Sequence, residues 1–178
     1  YTQRLAENGH DNPQRTIEEL LSYHLNCKPL EIYARTTIDE SIVETDVKRL
    51  LNNEPLQYIL GTTHFYGIEF NCDGRALIPR PETEQLIEHI LESDLNNHPA
   101  PRLIDVGTGT GCIALTLAKH LSNAHVEAVD SSEAALALTW ENAEKLGLSE
   151  RIVLHHNNLL SERPDESYDA IISNPPYI

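Results

Sequence analysis

An α/β fold is predicted for this chain, with a doubly wound parallel sheet in its second half, a small helical bundle before it and a β-hairpin linker between. Three observations predict it. Apolar residues recur at helical spacing from Thr16 to Asn53. Aromatic and β-branched residues crowd residues 55–79 around Gly67 and an Asp73-Gly74 turn signal. From Arg102 onward short apolar runs alternate with helical ones, the pattern of parallel strands joined by right-handed crossovers.

In the first region Ile17, Leu20, Leu21, His24 and Leu25, then Ile42, Val43, Val47, Leu50 and Leu51, trace apolar stripes of short amphipathic helices. Pro13, Pro29 and Pro55 fall between the runs, where helices begin or end, and Asp39 is placed to cap the last helix. Residues 1–54 are therefore expected to form the bundle and 55–80 the hairpin linker. The third region, 81–178, opens on "PRPETEQLIEHIL", a proline-bounded helix start with Glu82 and Glu84 at its positive end. "NNHPAP" reads as a loop. Then come strand "RLIDVG", helix "GCIALTLAKHL", strand "HVEAVD", helix "SSEAALALTWENAEKLG", and the strands "RIVLHH" and "YDAIIS". Ser131 or Ser132 suits the cap of the second helix and Gly147 its end.

Composition narrows the function. The 178 residues carry 13 Lys and Arg against 28 Asp and Glu, a net charge of −15 that opposes binding to a phosphate backbone. No run is apolar enough to span a membrane and no signal pattern opens the chain, so a monomeric cytoplasmic protein is expected. Cys27, Cys72 and Cys112 have no metal-ligand spacing and are expected to be reduced. Adjacent His155 and His156 point to opposite faces of a strand, which disfavours a metal site. The chain contains no methionine, so it is expected not to begin at an initiator.

"DVGTGTG" joins the first strand of the sheet to its helix. Gly107, Gly109 and Gly111 let the loop turn sharply and approach a ligand, with Thr108 and Thr110 between them. Cys112 stands where a dinucleotide fingerprint wants its third glycine, so pyrophosphate is less favoured. Asp130 ends the second strand, where a carboxylate accepts from both hydroxyls of a ribose. A nucleoside without phosphates fits, and S-adenosyl-L-methionine is the commonest such cosubstrate. Asp105 is expected to face its cationic amino-acid end. Asn158 is expected to accept from the adenine amino group, with Leu159 covering the ring.

The chain closes on "SNPPYI", which brings Asn174, Pro175, Pro176 and Tyr177 to the same rim. A planar, conjugated amino group is a poor nucleophile because its lone pair is delocalised. Acceptors on both of its N–H bonds, the Asn174 side-chain oxygen and the Pro175 carbonyl, pin it in a productive geometry. Proline holds its carbonyl without a competing donor, and Tyr177 can cover the planar face.

With "FYG", "NEPLQYILG", "LIPRPETE", "DVGTGTG" and "SNPPYI" in one chain, the sequence resembles the PrmC/HemK family of protein-(glutamine-N5) methyltransferases. The resemblance implies a Rossmann-like class I methyltransferase domain after a docking bundle. It also implies methyl transfer from S-adenosyl-L-methionine to the glutamine of the Gly-Gly-Gln motif in class 1 peptide-chain release factors. Carried over by position, Gly107 to Gly111, Asp130, Asn158, Leu159 and Asn174 would contact the cosubstrate, and Asn174 to Tyr177 the glutamine. The family usually has an aspartate where this chain has Asn158, and a neutral amide is the poorer acceptor. Phe65 and Arg80 are expected near the cosubstrate pocket. Similar proteins continue with further strands, so the C-terminal part of the domain is expected to be missing from this chain. Two rival readings share part of the pattern. An adenine-N6 methyltransferase of DNA or RNA would use the same "NPPY" chemistry but should carry a basic track, and an inactive docking fragment would bind no cosubstrate.

Overall fold

Prolines set the first helices. In a computed structural model that describes residues 1–34, 40–158 and 167–175, Pro13 and Pro29 are the first residues of helices, where a missing N–H breaks no helical bond. The helices are α1 (Thr2–Glu7), α2 (Pro13–Leu25), α3 (Pro29–Ile32), α4 (Glu40–Leu51) and α5 (Leu56–Leu60). Together they make one compact unit, Tyr1–Gly61, built on buried Leu5, Ile17, Leu20, Val43, Val47 and Leu50. The expected cap Asp39 lies outside the described residues.

α5 corrects the expectation that the hairpin linker begins at residue 55. Leu56, Ile59 and Leu60 all pack on the helical core. An extended strand would send Ile59 and Leu60 to opposite faces, whereas a helix puts all three on one stripe. Burial at up to roughly 1.5–3 kcal/mol per side chain favours the helix. Gly61, in the left-handed region at φ 71°, ends it.

The second unit, Thr62–Ile178, starts with a hairpin of β1 (Thr62–Phe65) and β2 (Ile68–Asn71). Its turn is Tyr66-Gly67, both at positive φ (50° and 71°), the geometry a two-residue hairpin loop demands. The turn signal at Asp73-Gly74 proves to be a later loop, where Asp73 accepts from the backbone N–H and the guanidinium of Arg75. Phe65 and Phe70 are buried and meet edge to face at 6.4 Å, so Phe65 belongs to the core and not to a pocket.

A short turn, Pro81–Thr83, leads into α6 (Glu84–Glu92), whose Ile87 and Ile90 are buried. The parallel sheet contains β3 (Arg102–Val106), β4 (His125–Asp130), β5 (Ile152–His156) and β6 (Ala170–Ser173), in the order β5-β4-β3-β6. Helices α7 (Cys112–His120) and α8 (Glu133–Leu146) provide the crossovers. Ser132 accepts a hydrogen bond from the Ala135 N–H at the start of α8, and Gly147, at φ 68°, ends it. Leu103, Val126 and Ile152 share a rung, as do Asp105, Ala128 and Ile172, and this face is buried against the two helices. On the opposite face Ile104 is buried while Val153 and Ile171 are 53% and 71% exposed. This is the Rossmann-like, doubly wound α/β class. The order reverses at β3, with β4 and β5 on one side and β6 on the other. A crevice is therefore expected outside the carboxyl ends of β3 and β6.

Candidate active site

Strand register assembles the site. Val106 pairs with Val129 of β4 and with Ser173 of β6, so the next rung at the carboxyl rim brings together Gly107, Asp130 and Asn174. The Gly107 and Thr108 N–H groups both bond the Val129 carbonyl, at 2.8 and 3.1 Å, which folds the glycine loop back over the strand end. Gly107 lies at φ 75°, and a Cβ built there meets nothing within 4 Å, so the space above it is open to a ligand. Gly111, at φ 79°, is glycine for packing. A Cβ there would come within 2.7 Å of the Thr139 methyl.

Thr108 and Thr110 are buried, and the Thr108 hydroxyl donates to Asp105 Oδ2 at 2.7 Å. The Thr108 side chain thus ties the loop to β3. Asp105 is 1% exposed and also accepts from the Ala114 N–H at 3.3 Å. Burial pushes its carboxyl up to about 6, against the pull of those two hydrogen bonds, and nearby Asp130 adds to the rise. Among the described residues Asp105 Oδ1 has no hydrogen-bond partner. Asp130 is braced on both oxygens, accepting from Gly109 N–H at 3.0 Å and from Ser132 N–H at 2.9 Å. Each carboxylate oxygen keeps a second lone pair. Asn158 is exposed just past β5, where Asn157 N–H bonds the Asp130 carbonyl. Leu159, Pro176 and Tyr177 lie outside the described residues.

Asn174 is half-buried, and its amide nitrogen donates to Thr83 Oγ1 at 2.9 Å, leaving the amide oxygen for another donor. Ser173 secures the same segment by donating to the Val106 carbonyl at 2.7 Å, and Pro175 beside it is exposed. A cavity of about 320 Å³ opens here, lined by Arg80, Glu82, Thr83, Leu86, Ser173 and Asn174. Arg80 therefore lines a cavity together with Asn174. His155 pairs with Glu127 at 2.7 Å and His156 with the Ser131 carbonyl at 3.1 Å. Burial pushes the Cys72 and Cys112 thiols up to about 11 and about 12, which keeps them protonated and unreactive.

Residues 83–178 match the family model of the methyltransferase small domain. The chain belongs to this family. The match covers the glycine loop, Asp130 and Asn174, and begins just after Arg80 and Glu82 of the cavity. Residues 1–61 match the PrmC N-terminal domain, in agreement with the resemblance its motifs carry. Two relatives are named release factor glutamine methyltransferase. That of Chlorobaculum tepidum is 40% identical over 97% of this chain and 63% of its own length. That of Flavobacterium psychrophilum is 44% identical over 76% of this chain and 48% of its own length. The chain thus spans about three fifths of the first of these relatives. Among solved structures, the human methyltransferase 10 domain containing protein is 26% identical over 64% of this chain and 56% of its own, with a TM-score of 0.52. Pyrococcus horikoshii TYW2 in complex with MeSAdo, at 16% identity and a TM-score of 0.51 over 62% of this chain and 40% of its own, shares the fold.

Three residues of this methyltransferase small domain, Thr83, Asn142 and Ser173, escaped the sequence reading, and Glu84 was read only as a helix-start carboxylate. Buried Asn142 on α8 accepts from the Asn71 N–H at 2.6 Å and donates to the carbonyls of Asn71, at 3.1 Å, and Thr110, at 2.9 Å. It clasps the hairpin to the glycine loop. Glu84 accepts from the Tyr66 N–H at 2.8 Å, which holds the hairpin turn. The available signal for Asn142 was a polar, helix-disfavouring residue among the apolar positions of α8.

Proposed function

We propose that this site transfers a methyl group from S-adenosyl-L-methionine to the side-chain amide nitrogen of the glutamine in the Gly-Gly-Gln motif of class 1 release factors. The observation that carries the reading is the orientation of Asn174. Its amide nitrogen is engaged by Thr83, so its oxygen is the atom presented to an acceptor N–H. The names of the relatives and the match of residues 1–61 to the PrmC N-terminal domain support this acceptor. The −15 charge disfavours a nucleic-acid acceptor.

The rim residues fit the cosubstrate. Open space above Gly107 admits a nucleoside, the free lone pairs of Asp130 suit two ribose hydroxyls, and the unpartnered Asp105 Oδ1 suits an ammonium group, directly or through water. Bound there, S-adenosyl-L-methionine supplies an electrophilic methyl on a sulfonium sulfur. The Asn174 oxygen and the Pro175 carbonyl accept the two N–H bonds of the acceptor amide and turn its nitrogen lone pair toward that methyl. As the carbon–nitrogen bond forms and the carbon–sulfur bond breaks, the nitrogen becomes acidic and loses a proton to water. No strong base is needed; orientation and electrostatics carry the rate.

Calorimetry tests the cosubstrate half of the reading. Asp130→Ala should weaken S-adenosyl-L-methionine binding by about 1–3 kcal/mol, the scale for charge-assisted hydrogen bonds. Unchanged affinity in a folded variant would remove the ribose role, and no binding by the parent protein would favour the docking fragment.

A further inference from the structure

We infer that Thr83 is a positioning residue for methyl transfer, holding the Asn174 side chain in one place beside the cavity. This rests on the glutamine reading above and deepens it. Thr83 occupies the N-cap position of α6, where a threonine hydroxyl ordinarily accepts from a backbone N–H of the first turn. Here it makes no such bond, and its backbone is already helical at φ −70° and ψ −20°. The hydroxyl instead accepts from Asn174 Nδ2 at 2.9 Å, across 91 residues of sequence, and the residue is only 8% exposed.

The consequence is chemical. A side-chain amide has a donating end and an accepting end of nearly the same shape, and only the accepting end can take an N–H from the acceptor. An asparagine free to rotate would present its NH₂ part of the time, opposing donor to donor. The Thr83 hydroxyl, which bonds Asn174 Nδ2 in this structure, restrains that rotation before the acceptor arrives, the kind of preorganisation that raises turnover rather than affinity. The next residue, Glu84, holds the Tyr66 turn. Adjacent residues of "PRPETE" thus tie "FYG" and "NPP" to the start of one helix, which gives those motifs a joint physical role.

The test uses the intact gene product with a release factor as acceptor. Thr83→Val, nearly isosteric but without the hydroxyl, should lower kcat about tenfold to a hundredfold, within the range for lost electrostatic positioning, with S-adenosyl-L-methionine affinity unchanged. Thr83→Ser should recover most of the loss. In an Asn174→Ala background, Thr83→Val should cost nothing further, because its action passes through Asn174. Parent-like turnover in Thr83→Val, equal loss in Thr83→Ser, or an additive loss in the double variant would each overturn the inference while leaving the glutamine reading intact. A parent protein that binds the cosubstrate but does not methylate the release factor would overturn that reading, and the inference with it.

Discussion

Asp105 and Asp130 come from adjacent strands, Asp105 lying inside the rim that Asp130 reaches, and their surroundings set them apart. Asp130 is braced by two backbone N–H groups, whereas Asp105 is enclosed and its carboxyl is pushed up to about 6 from 3.8. An acid whose folded pKa is raised stabilises the fold most when protonated. Its contribution is full below about 4 and is lost as pH rises through about 6. Asp105→Asn cannot ionise. Its stability relative to the parent should therefore climb between those values and level off above them. Parallel denaturation curves of the two proteins from acid to neutral pH check this, since the other carboxylates cancel in the difference; a flat difference would remove the burial argument. A buried charge tolerated at neutral pH is what a site for a cationic ligand group would retain.

Among the elements, α8 does more than join two strands. Asn142 clasps the hairpin and the glycine loop, Lys145 pairs with Glu69 at 2.7 Å, and Glu141 pairs with Arg75 at 2.6 Å. The two ion pairs are partly exposed and contribute little. The buried amide is different. Asn142→Leu would leave the Asn71 N–H and the carbonyls of Asn71 and Thr110 without their partner, at about 1–3 kcal/mol for each group that water cannot reach. Denaturant unfolding should show a loss of several kcal/mol, and a loss below about 1 kcal/mol, the size of an ordinary substitution, would show that the clasp is dispensable. Elements whose signals are local were legible in the sequence. The strands β3 to β6, the Ser132 cap and the Gly147 stop were all read from period and turn chemistry within a few residues. Helix α5 was not, because Tyr58 and Ile59 are equally at home in a strand and only the packing of Leu56 and Leu60 decides. The bonds from Thr83 to Asn174 and from Asn142 to Asn71 join residues distant in sequence, and no periodicity reports them. Thus the role proposed for Asn174 rests on "NPPY", and that motif does not report what holds the side chain in place.

For the whole molecule, charge and the first unit bear on the partner. On the function proposed above, a release factor with a basic surface should meet this chain of net charge −15 more slowly as salt is raised. The helical unit has its own polar groove of about 420 Å³, with His10, Arg15, Glu19, Glu54 and Gln57 on its walls. If that unit docks the partner, deleting residues 1–61 should raise KM for an intact release factor far more than for a short Gly-Gly-Gln peptide, because only remote binding energy is lost. Equal losses in a folded truncated protein would assign the unit to the pocket instead. The central claim, that the acceptor is a glutamine side-chain amide presented to Asn174, is tested most directly by locating the transferred methyl. The intact gene product would be incubated with labelled S-adenosyl-L-methionine and with release factor and DNA side by side, and the labelled product sequenced by fragmentation mass spectrometry. The account predicts one methyl on the Gly-Gly-Gln glutamine nitrogen, none on DNA, and a loss of about a hundredfold or more in Asn174→Ala. Label on adenine, or undiminished transfer by Asn174→Ala, would contradict it.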